Sequence, residues 1–178
     1  MPDLLSQYAD AVGVAAVDHL RQLAAPLRGI RVVHVNSTRV GGGVAEILSK
    51  LVPLKQELGI DARWEVISGD SLFFKTTKSF HNGLQGSEVT VDPRELAHYE
   101  ETNAENATEM RELLEEADIV FVHDPQPAPL LKLVPRRRGK WIWRCHIDVS
   151  RPNRRVWEQL SLFLSGYDAS IFSLAAFA

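Results

Sequence analysis

Each of two short polar segments of the sequence contains a histidine and an aspartate close together. In the first, His123 and Asp124 directly follow the apolar run 118–122, and Gln126 comes two residues later. Such side chains are costly to bury without partners, so we expect them to face a ligand or one another. The carboxylate of Asp124 can accept hydrogen bonds from the hydroxyl groups of a sugar. The alternative is an Asp/Pro turn on which His123 stacks.

The second polar segment contains His146 and Asp148, after the run 141–145. A histidine and an aspartate two residues apart can ligate a metal, act as a general base with the carboxylate that orients it, or clamp a sugar. No third ligand lies at a useful spacing, so we expect no metal here. Cys145 is next to His146 but in the opposite strand phase, which favours a small buried hydrophobe over a nucleophile.

Three consecutive glycines, Gly41, Gly42 and Gly43, lie between a strand-like run and a helical pattern. Glycine lets the backbone approach a ligand closely, and the following helix N-terminus offers free N–H groups to a phosphate or a hydroxyl. Arg39 lies in the same loop and is a further candidate for binding substrate. The spacing is not G-x-G-x-x-G and no Walker lysine follows, so the motif predicts neither NAD nor ATP. The alternative is a turn that only joins strand to helix.

The segment 71–82 mixes aromatic side chains with lysine and histidine, a combination that suits sugar binding. Lys75 is its candidate substrate-binding residue. On a helix, however, Leu72, Phe73 and Phe80 are explained more simply as core, and Lys75 as a solvated lysine. Both interpretations stay open at this stage.

The elements that must position these side chains alternate along the chain between strands and helices. Strands are predicted at 30–36, 60–67, 118–122, 141–145 and 169–174. This alternation predicts an α/β fold, with a mostly parallel sheet and helices on both of its faces. Because the carboxyl ends of parallel strands lie at one edge of a sheet, we expect one polar cleft that contains the glycine loop, Asp124 and His146.

The remaining segments give more local expectations. An apolar stripe predicts one amphipathic helix over 4–24, ended by Pro26 and Gly29, so that residues 1–28 precede a domain at 29–178. Pro53 should kink or shorten the helix that follows the glycines. Residues 86–106 are polar and weakly patterned, and Asn106 is the expected N-cap of a helix to residue 116.

Composition excludes several classes of function. The 178 residues are 45% hydrophobic and 24% charged, with a net charge of −3, so we expect no nucleic-acid partner. The basic run at 136–140 is expected to be a solvated loop. One cysteine excludes an internal disulfide framework and fits a reducing cytoplasm. No apolar run is long enough for a membrane span, and the N-terminus has no signal-peptide character.

Taken together, four segments resemble a known family, the trehalose glycosyltransferring synthases among the retaining GT-B enzymes of glycosyltransferase family 4. The segments that carry this resemblance are 32–46, 71–78, 122–127 and 146–153. The resemblance extends over about residues 28–174. It implies that the chain is the Rossmann-like N-terminal half of such an enzyme.

The resemblance implies a reaction and a set of roles. Glucose would be transferred from a nucleoside-diphosphate glucose to free glucose to form trehalose, without a further cofactor. Asp124 would bind acceptor hydroxyls, and His146 would lie near the transferred sugar. The glycine loop would reach the donor's phosphates. The other residues expected to bind substrate are Arg39, Lys75, His123, Gln126, Asp148 and the glycines Gly41, Gly42 and Gly43.

The sequence departs from this family in two respects. The donor-binding C-terminal domain is absent from these residues, and the segment 173–178 lacks the Pro-Glu pair expected after Leu174. We therefore expect no activity from the chain alone. The alternative is a non-catalytic sugar-binding or assembly module that works with a separately encoded C-terminal half. A homo-oligomer is a further expectation. An epimerase or dehydrogenase is disfavoured because the dinucleotide motif is missing.

Overall fold

A computed structural model describes residues 4–177 as a parallel β-sheet packed between helices. The strands are β1 (Arg31–Asn36), β2 (Asp61–Val66), β3 (Ile119–His123), β4 (Lys140–Cys145) and β5 (Ala169–Phe172). They lie in the order β2-β1-β3-β4-β5, and every neighbouring pair is parallel. All five carboxyl ends therefore lie at one edge of the sheet, as the sequence predicts.

Eight α-helices within the described residues surround the sheet. They are α1 (Leu4–Val12), α2 (Val14–Ala24), α3 (Gly43–Glu57), α4 (Ser71–Leu84), α5 (Pro93–Glu109), α6 (Arg111–Glu116), α7 (Leu130–Leu133) and α8 (Arg154–Leu164). Short 3₁₀ turns lie at Ala25–Leu27 and Ala175–Phe177. None of these helices is both long and apolar enough to cross a membrane.

The two faces of the sheet contribute to two hydrophobic clusters because side chains alternate along each strand. Val33 and Val35 of β1 belong to the larger cluster, which also contains residues of α4, α5 and α8. Val32, on the opposite face, packs with Leu48 and Val52 of α3 in the smaller cluster. Helices on both faces of a parallel sheet are thus confirmed, and the fold is α/β and Rossmann-like.

The single helix predicted over 4–24 is two helices. Gly13 separates them with φ 87° and ψ 151°, a backbone conformation open almost only to glycine. The predicted apolar stripe also lies largely in solvent, since Val12 and Leu23 are each 57% exposed whereas Leu5 and Val17 are buried. The carboxylate of Glu57 accepts hydrogen bonds from the first described backbone N–H groups of α1, at Leu4 and Leu5, at 2.9 and 3.0 Å.

The expected N-cap at Asn106 is wrong, and the expected shortening of the helix at Pro53 does not occur. The weakly patterned segment 86–106 contains most of α5, which begins at a capping box formed by Asp92 and Glu95. Asn106 is not an N-cap but lies buried near the end of α5, where its side chain accepts from Ser68 N at 2.7 Å and donates to Ser68 O at 2.9 Å. Pro53 lies inside α3 without ending it. The buried side chains of Leu48 and Val52 hold that helix on the sheet and offset the one missing hydrogen bond.

We expect the chain to self-associate through its exposed apolar surfaces. Val14 and Leu23 of α2 are 64% and 57% exposed, and β5 is an edge strand with three of its four residues exposed. Such surfaces favour a partner. Light scattering over a dilution series should show a concentration-dependent dimer that the double substitution Val14→Glu, Leu23→Glu weakens. Gln22→Glu, which adds a charge at an exposed site of the same helix, is the control, and a monomer at every concentration contradicts the expectation.

Candidate functional site

The carboxyl edge of the sheet forms one cleft, which brings the strand-end segments together as predicted. Its first part, about 210 Å³, is lined by the glycine loop together with His123, Asp124 and Gln126. Its second part, about 420 Å³, is lined by residues that include His146, Asp148 and Ser173. The residues common to both parts are Gly43, Val44, His81 and Asp124.

The glycine loop joins β1 to α3 in a conformation that depends on its glycines. Gly41 has φ 74° and Gly42 has φ 84°, both in the region that side chains disfavour. A Cβ atom at either position would contact nothing within 4 Å, so the glycines serve the backbone conformation rather than close packing within the chain. The loop presents the N-terminus of α3, whose first N–H groups have no partner within the helix, to the first part of the cleft.

Asp124 lies at the turn after β3, and both its backbone N–H and its backbone carbonyl are hydrogen-bonded. Its φ of 62° is left-handed, a conformation that aspartate and asparagine tolerate better than most residues. Its N–H donates to Arg144 O at 3.0 Å, and the indole N–H of Trp143 donates to its carbonyl oxygen at 3.0 Å. Its Oδ1 accepts from His146 N at 2.7 Å. Burial raises the pKa of this carboxyl to about 6.

Three histidines and one lysine form a continuous row of hydrogen bonds that ends in the cleft. Lys55 Nζ lies 2.8 Å from His34 Nε2, His34 Nδ1 lies 2.9 Å from His123 Nε2, and His123 Nδ1 lies 2.9 Å from His146 Nε2. Burial lowers the pKa of His34 to about 2, that of His123 to about 3 and that of His146 to about 4. All three imidazoles are therefore neutral at physiological pH, and we call this set the histidine row.

Two of the predicted substrate-binding residues lie outside the residues that line the cleft. Arg39 packs over the ring of Trp64, with its guanidinium carbon 4.3 Å from the ring centroid, and donates to Trp64 O at 3.0 Å. Lys75 pairs with Glu95 at 3.0 Å and is mostly exposed. The positive charge of each side chain thus interacts with a neighbouring residue outside the cleft. The structure does not bring Arg39 or Lys75 together with Asp124 and His146.

The buried positions of Phe73, Phe80 and Cys145 agree with the simpler interpretations of their segments. Phe73 and Phe80 are buried core residues, as the simpler interpretation of segment 71–82 requires, although Leu72 is 38% exposed. Cys145 is fully buried, and burial raises the pKa of its thiol to about 12, so a thiolate nucleophile is disfavoured. Asp148 is exposed and accepts from Ser150 N at 2.9 Å. Among residues 4–177, no group of three or more His, Cys, Asp or Glu side chains is placed to hold a metal ion.

Several residues that support the site escaped the sequence analysis. Tyr99 and Asn103 of α5 hold the loop after Asp124, since Tyr99 OH donates to Pro125 O at 2.5 Å and Asn103 Nδ2 donates to Gln126 O at 3.1 Å. His34 and Lys55 belong to the histidine row. The one available signal was a histidine in the middle of an otherwise apolar strand, because a polar side chain there needs a buried partner.

The parallel sheet, the helices on both faces and the cleft at the strand ends define a Rossmann-like α/β domain with its candidate site at the carboxyl edge of the sheet. Comparison with known families identifies the kind of domain. The profile of the family described as "Trehalose synthase, N-terminal domain" matches residues 34–178. This chain therefore belongs to the family of trehalose synthase N-terminal domains.

Known relatives agree with this assignment. The chain is 47% identical over 173 residues to a trehalose synthase of Thermococcus litoralis and 44% identical over 173 residues to one of Rubrobacter xylanophilus. Each comparison covers 96% of this chain, but the chain spans only 41% of either relative. Among solved structures, the fold is similar to an α,α-trehalose-phosphate synthase (UDP-forming) of Burkholderia vietnamiensis, with a TM-score of 0.57 and 18% identity, over 84% of this chain and 41% of that one.

Proposed function

We propose that this chain is the acceptor-side half of a retaining glucosyltransferase that forms trehalose from a nucleoside-diphosphate glucose and glucose. The observation that carries the proposal is the cleft in which the carboxyl of Asp124, the imidazole of His146 and the N-terminus of α3 lie together. These groups offer a carboxylate for hydroxyls, a ring nitrogen for a sugar or phosphate oxygen, and backbone N–H groups for an anion. The donor and the retention of configuration rest on the family resemblance.

The proposed roles follow from the position of each group. Asp124 Oδ1 is occupied by His146 N, which leaves Oδ2 to accept hydrogen bonds from the acceptor's hydroxyls. His146 is held against Asp124 by that same bond, so the two residues act on neighbouring atoms of the sugars. The N-terminus of α3 would face the donor's phosphates, since helix N-termini favour negative charge. Gln126 and Asp148 lie on the walls of the cleft and would hydrogen bond with sugar hydroxyls.

We expect a polypeptide of residues 1–178, tested alone, to form no trehalose from UDP- or ADP-glucose and glucose above the buffer control. A transfer of this kind needs stabilisation of the leaving diphosphate, and residues 1–178 span only 41% of the matched synthases. A chimera tests the positive half of the proposal. Residues 1–174 are joined to the part of the Rubrobacter xylanophilus synthase that follows the matched region, and trehalose formation is then expected.

The matched control for the chimera is the same protein with Asp124→Asn, which should lose most of its activity. Trehalose formation by residues 1–178 alone would contradict the first expectation. A folded chimera that binds glucose in calorimetry but transfers none would favour a non-catalytic sugar-binding module instead. A folded chimera that neither binds glucose nor transfers it would overturn the proposal.

A further inference from the structure

The histidine row crosses three neighbouring strands diagonally towards the cleft. His34 of β1 pairs in register with Phe121 of β3, and His123 lies two residues further along β3. His123 pairs in turn with Arg144 of β4, and His146 lies two residues further along the chain. Each step therefore moves one strand across and two residues towards the carboxyl edge. The neighbouring ring centroids are 5.2 Å apart at both steps, close to the spacing of adjacent strands.

Lys55 lies at the start of this row and fixes its direction. An ammonium group carries three N–H donors and no acceptor, so Lys55 donates to His34 Nε2. A neutral imidazole has one donor and one acceptor, so the proton of His34 is on Nδ1, which donates to His123 Nε2. The same rule places the proton of His123 on Nδ1, which donates to His146 Nε2. The proton of His146 is then on Nδ1.

Lys55 stays mainly charged at pH 7, although its burial disfavours the charged form. Nζ lies 4.7 Å from the centroid of the Phe121 ring, within the range of a cation–π interaction. The same ring stacks on His34, with centroids 4.8 Å apart and planes 9° apart. Burial lowers the pKa of Lys55 only to about 8, so the ammonium form predominates at pH 7. The direction in which the hydrogen bonds of the row donate is thus set by Lys55, on the side of the sheet where α3 packs.

We propose that Lys55 is a positioning residue that, acting through His34 and His123, presents the Nδ1–H of His146 to the cleft as a hydrogen-bond donor. No protein acceptor for His146 Nδ1 is found among residues 4–177, and His146 lines the cleft. The ligand group that fits is an oxygen acceptor, either a sugar oxygen or a phosphate oxygen of the donor. This identity of the ligand rests on the proposed function, whereas the tautomer of His146 does not.

The test observes the tautomers directly in the chain labelled with ¹⁵N-histidine. Long-range ¹H–¹⁵N spectra at pH 7 distinguish a protonated ring nitrogen from an unprotonated one, and the variants His34→Gln, His123→Gln and His146→Gln assign the signals. We expect all three rings to carry the proton on Nδ1. In Lys55→Met, the Nδ1 signal of His146 should move towards the unprotonated position as the two tautomers mix. Lys55→Arg, which restores a charged donor, should return the signal.

Lys50→Met is the matched control, because Lys50 is exposed on the same helix and outside the histidine row. Its spectrum should match that of the unsubstituted chain. A proton on Nε2 of His146 in the unsubstituted chain would overturn the proposal, and this outcome needs no variant to fold. So would an unchanged His146 signal in folded Lys55→Met.

Activity of the chimera separates this inference from the proposed function. In the chimera, Lys55→Met should lower kcat about tenfold, the lower end of the scale for partners that orient metal-binding histidines, and Lys50→Met should not. If the chimera forms no trehalose but the tautomers are as expected, the proposed function fails and the inference about Lys55 stands. If the chimera is active but Lys55→Met leaves both kcat and the tautomer unchanged, the inference fails alone.

Discussion

Asp124→Asn is expected to reduce kcat/KM of the trehalose-forming chimera by about 10- to 100-fold. Hydrogen bonds to a charged group contribute roughly 1.5–3 kcal/mol, and the amide replaces a charged acceptor by a neutral one. Asparagine keeps the acceptor oxygen for His146 N and tolerates the left-handed backbone at φ 62°. The loss should therefore come from the missing charge and not from a displaced loop. Steady-state kinetics with varied glucose concentration measure this loss. An unchanged kcat/KM would contradict the proposed role of Asp124 in binding the acceptor.

The same substitution is expected to stabilise the fold at neutral pH. Burial raises the pKa of Asp124 to about 6, so the folded chain holds this proton more tightly than the unfolded chain does. The contribution of Asp124 to stability is then fully present below its ordinary pKa and is lost as the pH rises through 6. Above pH 7, Asp124→Asn should raise the free energy of unfolding by on the order of 1–3 kcal/mol.

Urea denaturation of both proteins between pH 4 and pH 8 isolates this effect, because all other groups are shared. The difference in the free energy of unfolding should grow across the window from about pH 4 to about pH 6 and level off above it. A difference that does not vary with pH would mean that the carboxyl of Asp124 is not perturbed in the folded chain. A residue that lowers stability while serving the site is a common trade-off.

Gly139→Ala is expected to lower the free energy of unfolding by about 3 kcal/mol. Gly139 immediately precedes β4, and a Cβ atom there would lie far inside contact distance of the carbonyl oxygens of Ala117 and Asp118. Both are backbone atoms just before β3 and cannot rotate away. To relieve this clash, the backbone at Ala117 and Asp118 would have to move away from residue 139. Lys140 N donates to Asp118 O at 2.9 Å, so that movement would break the hydrogen bond at which the pairing of β3 with β4 begins.

Gly43→Ala is the matched control for this prediction. Gly43 is the first residue of α3, and a Cβ atom there contacts nothing within 4 Å. Because alanine favours a helix over glycine, we expect that variant to be as stable as the unsubstituted chain or slightly more so. Urea denaturation of the two variants side by side gives the comparison. Equal stability of Gly139→Ala and Gly43→Ala would show that β3 and β4 can separate at no cost.

Strands were the most predictable part of this fold, whereas a long polar helix was missed. Buried strands such as β3 are short continuous apolar runs, and that pattern can be recognised without knowing which elements pack beside the strand. Helix α5 gives no comparable signal, because buried polar residues such as Asn103 and Asn106 occupy part of its inner face. Their hydrogen bonds to distant loops replace the apolar stripe by which helices are recognised. Its capping box was the one local signal present.

The candidate site was predictable only where it follows from the ends of strands. Asp124, His146 and the glycine loop share a cleft because parallel strands bring their carboxyl ends together. The histidine row could not be predicted, since it depends on the register of β1, β3 and β4 and on a lysine that α3 places beneath them. Arg39 and Lys75 have the right chemistry in the right segments, but their side chains pair elsewhere.

Glu57 carries the carboxylate nearest to Lys55 in the sequence, but it caps α1 and does not pair with Lys55. Glu57 directs both oxygens to the backbone of Leu4 and Leu5, and no ion pair among residues 4–177 includes Lys55. The chain therefore keeps an uncompensated positive charge beneath its sheet, with a row of polarisable rings between that charge and the cleft. Since the charge is half-buried, dissolved salt screens it less than it screens a surface lysine. Lys55 should therefore add a positive contribution to the electrostatic potential under the cleft, opposite in sign to that of the Asp124 carboxylate, even at ionic strengths that screen the charges of the surface.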